Sequence, residues 1–442
     1  MSTLLIKNGT VVTLGEKNRV IDDGAVLVED AVIKRLGRSE DFTGAYDRVI
    51  DASNMVVLPG FINAHMHFYS TMVRGLGKME PASDFVGILR NLWWRLDKQL
   101  VLEDCYYSAL VPLIDAVRKG TTTLIDHHAS PFAVTGSLER IAEAVRRVGV
   151  RASLCYEVSD RDGEEIAAEG IRENVDFIEK SSRAGDDYIK ALFGLHASFT
   201  LSDGTLRAAV EAARGLDTGF HIHVAEAASD EEYAVKHFGK RVVERLADAG
   251  VLGPKTIAAH CVHVDEGEMD ILKATDTSVV HNPQSNMNNA VGVADLIGMT
   301  AKGIRVGLGT DAMTVNMLEE LRSALWVHHL ARRNPSVGFM ECMATLTVNN
   351  ARIAGRYWDN GLGELREGCA ADIILMEYYP PTPLDAGTFL GHLAFGLSQA
   401  AVDTTIVGGR VLMENRELRI DIDEAEVARK SRELAAGLWE RF

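Results

Sequence analysis

No stretch of the 442 residues approaches the ~18 consecutive apolar side chains that a membrane-spanning helix needs. The N-terminal MSTLLIKNGTVV has no charged segment followed by a long apolar one, so no secretory leader is expected. Positive charge is in short supply: Lys and Arg total 46 against 63 Asp and Glu, a formal net charge of −17. That balance argues against nucleic acid or an anionic membrane surface as the main partner. Cysteine is sparse, and Cys105, Cys155, Cys261, Cys342 and Cys369 never form a C-x-x-C pair. An odd number of scattered thiols reads as reduced cysteine, and the expected compartment is the cytoplasm. A GxxxxGK-Ser/Thr phosphate loop is absent, as is the GxSxG turn of a serine hydrolase. What remains is ordinary globular material, 47% hydrophobic and 25% charged, which excludes disorder as the main state.

The pattern along the chain changes twice. Residues 1–58 alternate short β-rich runs with turn signals such as Asn8-Gly9 and predict a small, mostly antiparallel β unit. From Val56 to Asp311 strand-length apolar runs alternate with segments of helical period. SLERIAEAVRRVG shows that period, with Leu138, Ile141, Ala142, Val145 and Val148 on one face. Ser229 and Glu232 have the spacing of a capping box opening another helix. Past about residue 362 the strand pattern returns, and residues 421–442 predict a charged helical tail. Eight strands are counted between: VVLPGFINAHMH, TTTLIDHH, RASLCYEV, IKALFGLHA, GFHIHVAE, TIAAHCV, TSVVHNP and IRVGLGTD. Nearly all end in His, Asp or Glu. Buried parallel strands with polar C-terminal ends predict a (β/α)8 TIM-like barrel over residues 59–361, with its chemistry at that face.

His65 and His67, at i and i+2, share one face of the first barrel strand. An HxH pair alone is equally compatible with packed or solvated histidines; its place after Pro59-Gly60 at a strand end favours metal ligation. His223 ends the fifth strand, His260 the sixth and Asp311 the eighth. Two His on one strand, a third on another and a carboxylate from a further strand make a set suited to one Zn²⁺ or Fe²⁺ with a position left for water. A bridged pair of ions would need a carbamylated lysine at the end of strand four. Lys190 stands six residues before His196, roughly 20 Å away at ~3.3 Å per residue, so a single metal ion is expected.

PGFINAHMHFYSTMVRGL, HIHVAE, AAHCVH, HNPQSN and GLGTDA, in that order, resemble the amidohydrolase superfamily and, more narrowly, its aminohydrolase/chlorohydrolase group. NLWWRLD, IDHHASP, SNMNNAVG and AGHLAFG are most similar to SsnA-type aminohydrolases. The resemblance covers essentially the whole chain. It implies a composite β-sandwich domain from residues 1–58 and 362–420 holding the barrel. It also implies His65, His67, His223 and Asp311 as metal ligands, Glu226 as acid/base, His260 polarising the attacking water and Asp311 taking its proton. A solvated loop glutamate is the alternative for Glu226, given Glu231 and Glu232 nearby.

The resemblance further marks His196 as a substrate contact, although the group often has Pro where this chain has Leu195. Asn282, Ser285 and Asn286 offer neutral donors and acceptors for a heterocycle's edge, and Asn288 and Asn289 depart from the group's commoner Met-Lys-Leu. His221 is expected behind the ligands and His263 on the rim; one of His127 and His128 faces the mouth. Trp93-Trp94 reads equally as a stacking lid or a buried amphipathic helix. The expected activity is hydrolytic deamination of a small heterocycle, a purine, pterin or similar. Cleavage of a cyclic amide or another leaving group, and a non-catalytic metal-binding protein, are the alternatives. A homodimer or higher homo-oligomer is left open.

Overall fold

A computed structural model describes residues 2–77 and 79–442. Strands from both ends of the chain share one nine-stranded sheet. Thr3–Val12, Val20–Glu29 and Val32–Arg38 run antiparallel in sequence, whereas Arg48–Asp51 and Met55–Pro59 lie parallel to the first. The N-terminal unit is therefore mixed rather than mostly antiparallel. Ile373–Glu377 then pairs antiparallel with Met55–Pro59 and leads through Val402–Val407 to Arg410–Glu414. Ile6, Val26 and Val57 meet Ile373 and Ile406 in one apolar cluster, so both ends supply a common core.

The barrel strands are Phe61–Met66, Thr121–Asp126, Arg151–Leu154, Ile189–Ala197 interrupted at Leu192, Phe220–Val224, Ile257–His260, Ser278–His281 and Val306–Leu308. All their pairings are parallel. The fourth strand changes partner midway, pairing first with the third and then with the fifth. The ring closes where Met66 bridges Asp311 and Thr310 N–H donates to His65 O at 2.9 Å. Apart from Lys190 and Ala191, the residues of the eight strands are buried on both faces, which is why they read as apolar runs.

The run from Val56 to His67 is two strands, and Gly60 is the joint. A side chain there would place its Cβ 2.2 Å from Thr122 Oγ1, so only glycine lets the chain pass from sheet to barrel. Across the same junction the buried Arg151 guanidinium holds Asp372 with Nε–Oδ2 at 2.8 Å and Nη2–Oδ1 at 3.1 Å. Helix Ala228–Phe238 begins without the expected capping box: Ala227 is its N-cap, and Ser229 Oγ has no partner. Asp230 instead accepts from Glu226 N–H at 3.0 Å, fixing the turn that carries the glutamate. The C-terminal helix Glu424–Arg441 packs beside Leu102–Lys119, with Leu438 buried and Trp439 Nε1 donating to Met72 O at 2.7 Å.

Candidate metal centre and active site

The strand ends bring the singled-out histidines together. His65 and His67 point inward from the first strand, His223 from the fifth and His260 from the sixth, and Asp311 follows the eighth. Ala225, His260 and Asp311 take positive φ of 46°, 74° and 51°, a left-handed backbone that non-glycine residues rarely adopt. It turns the chain sharply where strand becomes loop, at the residues that build the site.

His67 Nε2 lies 3.2 Å from His223 Nε2 and 3.2 Å from Asp311 Oδ1, with His65 Nε2 4.0 Å from the same oxygen. Two ligands at ~2.05 Å on a tetrahedral ion stand about 3.3 Å apart, so these donors are spaced to share one. His65 Nε2 and His260 Nε2 are buried without a hydrogen-bond partner, as ligand or water-facing nitrogens would be. The far nitrogens are all engaged. His67 Nδ1 donates to His127 O at 2.5 Å, His223 Nδ1 to His196 O at 2.8 Å, and His65 Nδ1 meets His221 Nε2 at 2.8 Å. Such outer bonds fix each ring's tautomer and turn the Nε2 lone pair toward the centre.

His127 also falls within the cluster, its ligand atom within 4.8 Å of those of His65, His67 and His223. Its Nε2 donates to His221 O at 3.1 Å, however, and its Nδ1 faces Glu157 Oε1 at 3.4 Å. It is the histidine of its pair that faces inward. His128 turns outward to Ser130 Oγ and Cys105.

Glu226 is buried beside this cluster. Its Oε2 lies 3.5 Å from His260 Nε2, which is 3.7 Å from Asp311 Oδ2, and its Oε1 accepts from Asn289 Nδ2 at 3.2 Å. Asn286 Oδ1 accepts from His260 Nδ1 at 2.8 Å, leaving the Nε2 lone pair toward the two carboxylates. Ser285 Oγ donates to Asp311 Oδ2 at 2.5 Å. Burial, reinforced by the Asp311 charge, pushes the Glu226 carboxyl well above the ordinary range. Burial pushes His223 down to about 3; for His67 it is outweighed by Asp311, which holds that imidazole up at about 9.

The cavity over the cluster has about 660 Å³ of empty space, counting its open mouth. Ser285, His196, Trp93 and Trp94 line it; Asn282 and Asn286 do not. Asn282 is wholly buried with its Nδ2 3.4 Å from Val280 O, and Asn286 serves His260 rather than the cavity. Trp93 packs edge-on against Tyr69 and Trp94 against His196, so the tryptophan pair forms a wall. His263 donates to Val291 O at 2.7 Å, and Lys190 sits at the opposite end of its strand near Asp186 O.

Four residues on this cavity escape the sequence reading: Asp97, Glu157, Arg161 and Asn289 as a partner of Glu226. Glu157 follows the third strand, in CYEV, a polar residue past an apolar run as the histidines are. Asp97 lies in the NLWWRLD segment, but nothing in its spacing shows that it meets Arg161 in space.

A parallel barrel with histidines and carboxylates converging at its C-terminal face defines a barrel hydrolase. Residues 56–412 match the Amidohydrolase family, and the chain belongs to that family, as a hydrolase of C–N bonds. It is 33% identical over 441 residues, 98% of this chain and 99% of that protein, to a 5-methylthioadenosine/S-adenosylhomocysteine deaminase of Syntrophomonas wolfei subsp. wolfei. A 5'-deoxyadenosine deaminase of Methanosarcina mazei is 32% identical over 446 residues, 100% of this chain and 99% of that one. Among solved structures, an adenosine deaminase from Xanthomonas campestris with bound zinc superposes with a TM-score of 0.87 at 22% identity. It covers 99% of this chain and 98% of its own, a likeness of fold. Among the described residues no helix is long and apolar enough to cross a membrane.

Proposed function

We propose that the protein releases ammonia hydrolytically from a nitrogen heterocycle, using one divalent ion, zinc foremost, held by His65, His67, His223 and Asp311. The observation that carries the reading is the convergence of Glu226, His260 and Asp311 on one point beside three Nε2 lone pairs. A divalent ion held there supplies Lewis acidity that lets water give up a proton near neutral pH.

The side chains provide the rest. One water can touch His260 Nε2, Glu226 and Asp311 together, given their separations of 3.5 and 3.7 Å. His260 orients it, and Asp311 takes its proton. As the oxygen adds to the amine-bearing carbon, the C=N electrons move onto the ring nitrogen, which takes a proton from Glu226. Glu226 then recovers a proton from the added hydroxyl. Asp311 passes its own to the amine, the C–N bond breaks, and ammonia leaves. His196 and Ser285, both on the cavity wall, contact the substrate ring; Asn286 positions His260.

The naming of full-length relatives as deaminases of adenosine derivatives supports this reaction. Zinc-loaded protein is incubated with 5'-substituted adenosines, guanine, cytosine and a pterin, and ammonia and product mass are measured. Ammonia with a product carrying oxygen in place of the amine is expected. A ring-opened product, or release of a different group, overturns the proposal.

A further inference from the structure

Across the barrel mouth from His260 and Asn286, the loop after the third strand presents donors that meet no acceptor. Arg161 and Trp94 both line the cavity. Arg161 Nη1 and Trp94 Nε1 are shut off from solvent, and neither has a hydrogen-bond partner; Arg161 Nε also makes no hydrogen bond but faces the Asp162 carboxylate at 3.4 Å. Buried N–H groups are nearly always paired, so two orphans side by side on a cavity wall ask for an explanation.

The guanidinium is nevertheless firmly held. Its Nη2 donates to the buried Asp97 Oδ2, its Nε lies 3.4 Å from Asp162 Oδ2, and its Cζ sits 5.6 Å from the centre of the Trp94 ring. Lys98 Nζ pairs with Asp162 at 2.6 Å, tying the loop to the tryptophan segment. Thr205 Oγ1 donates to Asp160 Oδ1 at 2.6 Å, tying it to the next loop. The Arg161 side chain is only 10% exposed. This is a preorganised donor pair rather than a mobile surface arginine.

Charge decides what it fits. Arg161 and Lys98 are already balanced by Asp97 and Asp162, so a full anion would find no uncompensated positive charge there. The two open positions are N–H donors, and both can point at one oxygen that has two lone pairs.

We infer that Arg161 and Trp94 form a specificity subsite that reads an uncharged oxygen acceptor on the part of the substrate remote from its leaving amine. The inference rests on the deamination proposed above. Such an oxygen has two sources, a ring carbonyl or a sugar hydroxyl. Asp97 Oδ1 also lacks a partner, so a hydroxyl would be held through both its oxygen and its hydrogen.

Matched pairs separate the sources. Cytosine against 4-aminopyrimidine, and guanine against 2-aminopurine, test the ring carbonyl; adenosine against 9-ethyladenine tests the sugar. For each pair the ratio of kcat/KM is measured by ammonia release, with binding of the same compounds by titration calorimetry. Wild type, Trp94→Phe and Arg161→Lys are compared at equal metal content. Trp94→Phe keeps the ring and removes one N–H; Arg161→Lys keeps the charge beside Asp97 and removes Nη1.

In wild type the oxygen-bearing member of one pair is expected to be preferred. That ratio should fall about 10–10²-fold in both variants, the worth of hydrogen bonds from buried or charged donors. The pair that responds identifies the oxygen's source. Ammonia release with ratios unmoved by either variant overturns the subsite and leaves the deamination standing. No ammonia, but tighter binding of an oxygen-bearing member that both variants lose, overturns the deamination and leaves the subsite standing. No ammonia and equal binding within every pair overturns both.

Discussion

Glu226→Gln separates chemistry from metal binding. The substitution preserves size, and the remaining carbonyl oxygen can still accept from Asn289 Nδ2, now at 3.2 Å. The new amide nitrogen then faces the lone pair of His260 Nε2, at the place where Glu226 Oε2 stands 3.5 Å away. Nothing in this exchange disturbs the backbone, because Asp230 holds residue 226 through its N–H. Metal content should stay at the wild-type level, since Glu226 is not one of the four converging donors. What is lost is a proton donor and acceptor, which is worth about 10²–10⁴ in rate, or about 2.7–5.5 kcal/mol of transition-state stabilisation. The assay is single-turnover ammonia release together with elemental analysis on the same preparation. Turnover within a few-fold of wild type would remove Glu226 from the mechanism. Loss of the metal would make it a ligand, and the proposed shell of three histidines and Asp311 would be wrong.

Other perturbations test the surroundings. His65→Ala should lose the metal, and Asp311→Asn should weaken its retention while also lowering turnover; dialysis followed by elemental analysis checks both. Lys190→Ala should leave metal content at about one ion per chain and activity intact, since its ammonium lies near Asp186 O at the far end of the strand. Two tightly bound ions in wild type would refute the single-ion reading. Arg151→Met should destabilise the fold by about 3–5 kcal/mol, because it strands Asp372, 3% exposed, without its bidentate partner. Urea unfolding should show much of that loss recovered in Arg151→Met/Asp372→Leu, and a single variant as stable as wild type would dismiss the ion pair as a clamp.

Which residues gather at the barrel mouth was legible along the chain. His65, His67, His223, His260 and Asp311 each close a strand-length apolar run, and parallel strands buried on both faces leave that period visible without a partner sheet. The alternation of strand and helix likewise announces a barrel, because each crossover needs a helix to return the chain. Local pattern could not show where one layer ends and another begins. Val56 to His67 reads as one strand, and only the 2.2 Å approach of Thr122 to a side chain at residue 60 makes it two. Nor could spacing tell His127 from His128, since adjacent strand residues face opposite ways and the register alone decides which is inside. Asn282 and Asn286 share a segment with Ser285, yet a helix beginning at Pro283 sends only the serine to the cavity. The Arg161 subsite is the extreme case. Asp97 comes from one loop and Glu157 and Arg161 from another, and what they do depends on distances that no one-dimensional pattern contains; only closure of the eight-stranded ring brings them to one wall.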